Sequence, residues 1–497
     1  MGKFSSSYLI GDIWRFLLAI FYGFIRPLKV GLQVGKQRFC CMLEVTWRFH
    51  LSMFCVFMGS LLVGLYFGNL SFSKMEMEPL FTDILQKLYK ESIPPEKLKL
   101  MWTLSRNALL FGKCIGALFV PLLANNIGRK RSLLCINVLF LFAFPLVTLG
   151  KVLHIYWVIL GGRVLLGVYS SLTSTLISMY VLEVSPPSLR TCNALWNTLF
   201  FTCGCLAGKV IIYDENSNAY RLSVFLIWAI PIFLHIVLLP LCPESPHFLF
   251  LNQRDDEEAV RALEKLWGTD DIWNEVDELN EYVDKMENRP SLCKLCTDYG
   301  KPVFIALVLN ASVELSGFLE ILGNPPSLFP DYAQVMTRTF WTFRVISIII
   351  AAFVVDLCKK NLLLINQVIM AVCNILLVVT RVFMDHQPWM KYLPVLSTIT
   401  AVVSYQIGPG PICASISGGL FIQAARPLAM GVASSWSCFI GAIEGIAFDF
   451  SKDIMGPYIF LVFAVCQMAA ALFTYFVVED NGRAAPPRGE KVVRHPC

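Results

Sequence analysis

Long apolar runs separated by short polar stretches set the pattern of this chain. The apolar positions are gathered into blocks, not spaced at the period of a half-wet helix or strand. Twelve blocks reach bilayer length: about 49–68, 104–124, 132–150, 155–182, 191–212, 221–241, 301–322, 337–356, 361–383, 392–414, 428–448 and 457–478. Roughly 20 apolar residues carry a helix across the hydrocarbon core, so each block predicts a transmembrane helix. The fourth differs from a plain lipid-facing rod. Residues 161–190 hold Gly167, Ser170, Ser171, Thr173, Ser174 and Ser178 in the middle, with Arg163, Glu183 and Arg190 near the ends. Small residues let helices approach and hydroxyls bond across them, which places this segment inside a bundle. An earlier block, Trp14 to Ile25, is bounded by Asp12, Arg15, Arg26 and Pro27 and is too short to cross. It predicts a helix lying on the membrane surface.

Composition agrees. Of 497 residues, 56% are hydrophobic and 15% charged, against about a quarter charged in soluble domains. The formal net charge of +5 is modest. Its basic clusters fall between apolar blocks, where they set membrane orientation; nothing points to nucleic acid. Lys3, Arg15, Arg26, Lys29, Lys36, Arg38 and Arg48 precede the first span, and Arg129-Lys130-Arg131 follow the second. An even number of crossings separates the groups, so both lie on one side, the cytoplasm under the positive-inside rule. Both termini and the 242–300 loop are then cytoplasmic, and residues 69–103 are outside. Asn69-Leu70-Ser71 is a glycosylation triplet on that outer side. The 17 cysteines include no paired CxxC motifs with zinc spacing, and most sit in apolar blocks, so neither a metal site nor a disulfide framework is expected. Cys40-Cys41, just before the first span, is either an acylation site or simply structural. The six histidines are scattered, with no nucleophile–base arrangement and no phosphate-cradling glycine loop. An enzyme is not expected, nor a cofactor, and no repeated filter motif supports a channel.

The chain reads as two halves. Arg129 and Lys359 are 230 residues apart, Arg190 and Arg426 are 236 apart, and Glu244 and Glu479 are 235 apart. Three similar offsets in chain order predict a duplicated unit, two six-helix halves around an axis along the membrane normal. The expected division is a cytoplasmic segment 1–47, a first half 48–241, a charged helical loop 242–300, a second half 301–478 and a cytoplasmic tail 479–497.

Several motifs now carry a resemblance. Gly128-Arg129-Lys130, Gly162-Arg163 through Gly167, Tyr180 with Glu183 and Arg190, Pro243-Glu244-Ser245-Pro246, Gly408-Pro409-Gly410-Pro411, Arg426-Pro427, and Glu479 with Gly482-Arg483 occur in order over residues 48–485. The chain resembles the sugar-porter branch of the major facilitator superfamily, most of all the facilitative glucose transporters. The resemblance implies an all-α membrane protein with twelve transmembrane helices in two six-helix halves, moving its cargo by alternating access. Arg129, Arg163, Glu183, Arg190, Glu244, Arg426 and Glu479 are expected at cytoplasmic helix ends. There they either latch the halves together or only orient helices in the bilayer. The block Gly408 to Pro411 would break span 10, which bilayer depth allows only inside protein or beside a watery cavity.

The site chemistry departs from the resemblance. Glucose transporters hold a hexose with side-chain amides, whose paired donors and acceptors suit hydroxyls. Thr198 stands where that family has a glutamine, Val313-Glu314-Leu315-Ser316-Gly317 replaces Gln-Gln-Leu-Ser-Gly, and Leu319 and Arg344 replace asparagines. Gln406 stands for a glutamate, Ala414 for a tryptophan, and the asparagines expected around Trp436 are absent. Latch positions change too: Asn125 replaces an aspartate and His247 an arginine. By correspondence, Thr198, Glu314, Ser316, Arg344, Gln406 and Trp436 are the candidate solute contacts. Glu314, Glu320, Arg344 and Glu444 are charges at predicted bilayer depth, where each costs about 2.5–3.5 kcal/mol on insertion scales and calls for a partner. Glu314 and Arg344 either pair, blocking or polarising the cavity, or hold a charged solute or zwitterion. Span 1 has no carboxylate from Leu51 to Gly68, where proton-coupled porters place one, so coupling would need Glu314 or Glu444.

The leading expectation is a facilitative plasma-membrane carrier of a small polar solute, hexose by family default. The alternatives are a carrier of a charged solute, a proton-coupled carrier using Glu314, and a non-transporting sensor or scaffold that keeps the fold.

Overall fold

The computed structural model describes residues 45–70, 80–86, 95–211, 230–268, 272–284, 292–323, 333–354, 359–383, 390, 392–421 and 425–478. Among them there is no strand. The first half contains α1 (Trp47–Leu70), α2 (Pro95–Asn126), α3 (Arg129–Leu153), α4 (Tyr156–Val184), α5 (Arg190–Ile211) and α6 (Ile230–Leu241). The loop contains α7 (Asp256–Trp267), α8 (Ile272–Asp284) and α9 (Leu292–Asp298). The second half contains α10 (Gly300–Glu314), α11 (Phe318–Gly323), α12 (Ala333–Val354), α13 (Lys359–Phe383), α14 (Leu393–Ile407), α15 (Pro409–Gly419), α16 (Arg426–Met455) and α17 (Ile459–Val477). The described residues of the apolar blocks fall on helix, apart from the breaks in the second half. Among the described residues seven helical stretches are long and apolar enough to cross a bilayer, counting Gly300–Gly323 and Arg426–Val477 as one each. The surface helix expected near residues 14–25, Cys40-Cys41, Ser71 of the glycosylation triplet and the tail from Glu479 lie outside the described residues.

Glycine sets the helix spacing in the first half. Gly64 of α1 faces the Phe201 carbonyl of α5, and Gly204 of α5 faces the Leu61 carbonyl of α1. Gly112 of α2 and Gly167 of α4 meet in the same reciprocal way, each against backbone of the other helix. A Cβ at any of the four would drive into a peptide group, so these helices touch backbone to backbone. In the second half α13 packs on α14 and α17, and α10 on α16. The halves meet along α2 with α16 and along α5 with α12. Large apolar side chains also point outward, among them Phe142, Val152, Trp157, Val465 and Phe476. Water penalises such a surface; hydrocarbon does not.

Two helices of the second half are broken. Between α14 and α15, Gly408 leaves helical geometry (φ −106°, ψ −99°), and a Cβ there would meet Asn366 of α13. This is the break expected from Gly408-Pro409-Gly410-Pro411. A second break, not anticipated, separates α10 from α11 at Leu315–Gly317. Gly317 takes a left-handed φ of 71°. The Ser316 hydroxyl donates to the Val313 carbonyl at 2.7 Å and accepts from the Phe318 amide at 3.2 Å. The Asn374 amide donates to the Ser316 carbonyl at 3.2 Å. Side chains thus occupy backbone groups that the interrupted ladder releases.

Candidate functional site

A cavity of about 210 Å³ lies where the halves meet. The first half contributes Phe67, Arg106, Lys113 and Phe201 among others; the second contributes Glu314, Glu320, Arg344 and Glu444 from α10, α11, α12 and α16. The break between α10 and α11 re-aims the chain, so the two carboxylates six positions apart, Glu314 and Glu320, both reach this space. Phe318, just past the break, stacks on Tyr405 with ring centroids 3.6 Å apart. The Arg344 guanidinium sits over the Phe318 and Trp341 rings, at 5.1 and 4.6 Å.

Glu314 and Arg344 line the same cavity but do not bond each other. The Glu314 carboxylate accepts from the Ser437 hydroxyl of α16 at 2.6 Å. Arg344 donates from Nε to Gln406 at 3.1 Å. Gln406 therefore touches the site through Arg344. The other candidate contacts lie elsewhere. Thr198 donates to the Ala194 carbonyl of its own helix at 3.0 Å, and Ser316 belongs to the helix break. Trp436 is 38% exposed beside Phe439, while its neighbours Ser437 and Cys438 face inward.

Two basic residues of the cavity, Arg106 and Lys113, were not among the sequence candidates. Both stand in the apolar block 104–124, and a cation at bilayer depth is the signal that marks them. Arg106 donates to both Glu320 oxygens at 3.0 and 2.8 Å and to the Gly445 carbonyl at 2.8 Å. Its Nε is 3.7 Å from Asp449, which also accepts from Thr103 and Lys452, each at 3.1 Å. Lys99 pairs with Asp453 one turn further out. These bonds tie α2 to α11 and α16 across the halves, at the end of the bundle that carries Lys99.

The opposite end, around Arg129, is bonded within each half. Arg129 donates to Glu183 at 2.8 Å, and Glu183 also accepts from Ser245. Glu244 receives the backbone amides of Arg129, Lys130 and Arg131 at 3.0, 2.9 and 3.4 Å. It is an anion set on the N-terminus of α3. Gly128 (φ 98°) makes room, since a Cβ there would strike the Glu244 carboxylate. Arg190 donates to Glu275 of α8 at 2.5 Å, and His247 lies 3.3 Å from the same oxygen. Burial raises the Glu275 carboxyl pKa, but the His247 bond and the Arg190 charge outweigh it and hold the group below its ordinary value. Arg426 donates to the Gly418 carbonyl. Among the described residues every ion pair that joins the halves is at the Lys99 end.

Arg163 requires a correction. It was expected with the others at the cytoplasmic helix ends, but it donates to the Ser105 carbonyl at 3.0 Å, near the Lys99 end. Twenty residues of α4 separate it from Glu183, a rise of about 30 Å at 1.5 Å per residue.

Comparison with known proteins places this geometry. A profile of the sugar (and other) transporter family matches residues 52–482. The chain is 34% identical over 414 residues to the facilitated glucose transporter member 1 of Gallus gallus, covering 80% of this chain and 83% of that protein. Member 4 of the same solute carrier family from Homo sapiens is 34% identical over 409 residues, 79% of each chain. The fold matches the proton:xylose symporter XylE bound to 6-bromo-6-deoxy-D-glucose with a TM-score of 0.72 at 20% identity, over 87% of this chain and 97% of that one. It also matches the inward-open xylose transporter XylE from E. coli, with a TM-score of 0.66 at 19% identity, over 86% and 96%.

Proposed function

The chain belongs to the sugar (and other) transporter family, and from that premise we propose that it is a facilitative carrier moving a hexose-sized polar solute across the plasma membrane. The observation that carries this reading is a cavity walled by both halves, with those halves bonded to each other at one end and each bonded within itself at the other. Rocking of one half against the other then exposes the cavity to alternate sides. We assign the Arg129 end to the cytoplasm, because Arg129, Lys130, Arg131 and Arg190 gather there. The termini follow it, twelve spans are crossed in all, and Asn69 faces outside.

Purified protein in liposomes should take up a radiolabelled member of a panel of hexoses, polyols, amino acids and organic ions with saturable kinetics. Absence of saturable flux for the whole panel would sink the carrier reading in favour of a sensor or scaffold. No side-chain amide lines the cavity among the described residues, so Glu314→Gln with Arg344→Asn should tighten binding of a neutral hexose by about tenfold, or 1.4 kcal/mol. Unchanged hexose affinity in the double variant would show that these positions do not touch the cargo.

A further inference from the structure

The cavity wall is charged in both signs, three cations (Arg106, Lys113, Arg344) against three carboxylates (Glu314, Glu320, Glu444). Arg106 and Glu320 satisfy each other through two parallel bonds. The other four do not pair among themselves. Arg344 has a neutral amide and two aromatic faces. Lys113 lies over the Phe67 ring at 3.9 Å. Glu314 has a serine hydroxyl. Glu444 is 7% exposed, and its Oε1 has no hydrogen-bond partner among the described residues. Ring faces and neutral hydrogen bonds steady an ion without cancelling its charge. A buried charge is normally paired or neutralised. Here two cations and two carboxylates around one space have no directly bonded counter-ion among the described residues, although Lys113 and Glu314 lie near enough to attract each other, as do Arg106 and Glu444. A neutral hexose supplies none, and a singly charged solute supplies one sign only.

We propose that the solute is a small zwitterion, with its anionic group on Arg344 and Lys113 and its ammonium on Glu314 and Glu444. This rests on the carrier reading and names the class of its cargo. Such a solute keeps the cavity neutral while giving both sets a partner. Lys113 belongs to the first half and the other three to the second, so the bound solute also draws the halves together. A cavity of this size, below the roughly 300–1,000 Å³ of drug-sized ligand pockets, suits a compact solute.

Four probes of one size separate the charges: D-glucose (neutral), D-glucuronate (anion), D-glucosamine (cation) and 2-amino-2-deoxy-D-gluconate (zwitterion). Each is measured by saturable uptake into liposomes holding the full-length protein. The zwitterion should be preferred at least about tenfold over the other three, because a site built to bond a group rejects an analogue lacking it. Arg344→Gln should abolish its advantage over glucosamine, and Glu314→Gln its advantage over glucuronate. The charge-keeping variants Arg344→Lys and Glu314→Asp should retain the wild-type order, which separates loss of charge from loss of fold. Glucose taken up as well as or better than the zwitterion overturns the proposal and leaves the carrier reading standing. Glucuronate or glucosamine preferred over the zwitterion overturns it as well, since only one sign of charge is then used. No saturable uptake of any probe by folded protein overturns the carrier reading and this proposal with it.

Discussion

Glu320 illustrates how an acidic side chain is kept inside an apolar helix. It is 2% exposed, and both oxygens are held by Arg106. Removing one member of an isolated buried pair costs about 3–5 kcal/mol, and replacing both with apolar groups is often neutral. Here loss of Glu320 leaves Arg106 with the Gly445 carbonyl and the more distant Asp449, and loss of both leaves Asp449 with Thr103 and Lys452. Glu320→Leu should therefore lower the unfolding temperature in detergent sharply, and adding Arg106→Leu should recover most of the loss. Equal losses in the single and double variants would show that the pair does not act as a unit. The sequence marks Glu320, Glu314 and Arg344 as charges in apolar blocks, but it cannot give their partners, because bonds such as Glu314 to Ser437 join residues 123 positions apart. Glu275 gives a pH prediction on the loop. Its folded pKa is lowered, so its stabilising contribution is complete above the unfolded-state pKa of about 4.3 and is lost as pH falls through the lower folded value. Hydrogen exchange along α8 should speed up as pH is lowered through that window, after correction for intrinsic rates. In Glu275→Gln the added acceleration should vanish.

At the scale of elements, the two broken helices differ in what announces them. Gly408-Pro409-Gly410-Pro411 combines the two residues that least tolerate a helix interior, and the break is visible in the chain. Leu315-Ser316-Gly317 carries no proline, and its break depends on Asn374 and Phe463 from other helices. Local sequence therefore shows one break and hides the other, although it is the hidden one whose flanking residues Glu314, Phe318 and Glu320 line the cavity. Gly317→Ala should cost about 1–2 kcal/mol from the left-handed backbone alone, and more from contact with the Phe463 ring. Thermal unfolding in detergent measures it, and an unchanged melting temperature would show that the backbone relaxes. The recurrence of Glu244 and Glu479 is an offset in the sequence, and Glu479 lies outside the described residues. The physical role of Glu244, an anion on three amides opening α3, needed the geometry of the preceding Gly128.

For the whole molecule, the blocks of apolar residues and the repeated offsets carried most of the architecture, since helix length in a bilayer is set by thickness and composition. They did not carry which end of the bundle is tied. The charges at the Arg129 end are read from sequence either as a latch between halves or as charges that only orient helices, and the Arg129–Glu183 and Arg190–Glu275 pairs brace the first half and its loop. The cross-half ion pairs are at the other end, where Arg106, Glu320 and Asp449, with Thr103 bonded to Asp449, form a buried cluster of which only Glu320 stood out in sequence. Midway along α2, Ser435 also donates to the Cys114 carbonyl across the halves. Half-buried Lys99 and exposed Asp453 contribute little, as pairs near the surface do. Asp449 is 1% exposed and gathers Thr103, Arg106 and Lys452. Asp449→Asn should therefore release the Lys99 end and shift the population toward opening there. Cys438 lines the cavity and reports access to it. Its labelling by an impermeant maleimide supplied on the Lys99 side, read by mass spectrometry, should accelerate at least about fivefold in Asp449→Asn, the equivalent of roughly 1 kcal/mol of bias. Lys99→Ala should label within about twofold of the parent if its pair is as weak as exposed pairs are. If Asp449→Asn labels no faster than the parent, Asp449 does not hold that end shut, and closure there rests on the Arg106–Glu320 pair and the packing of α2 on α16.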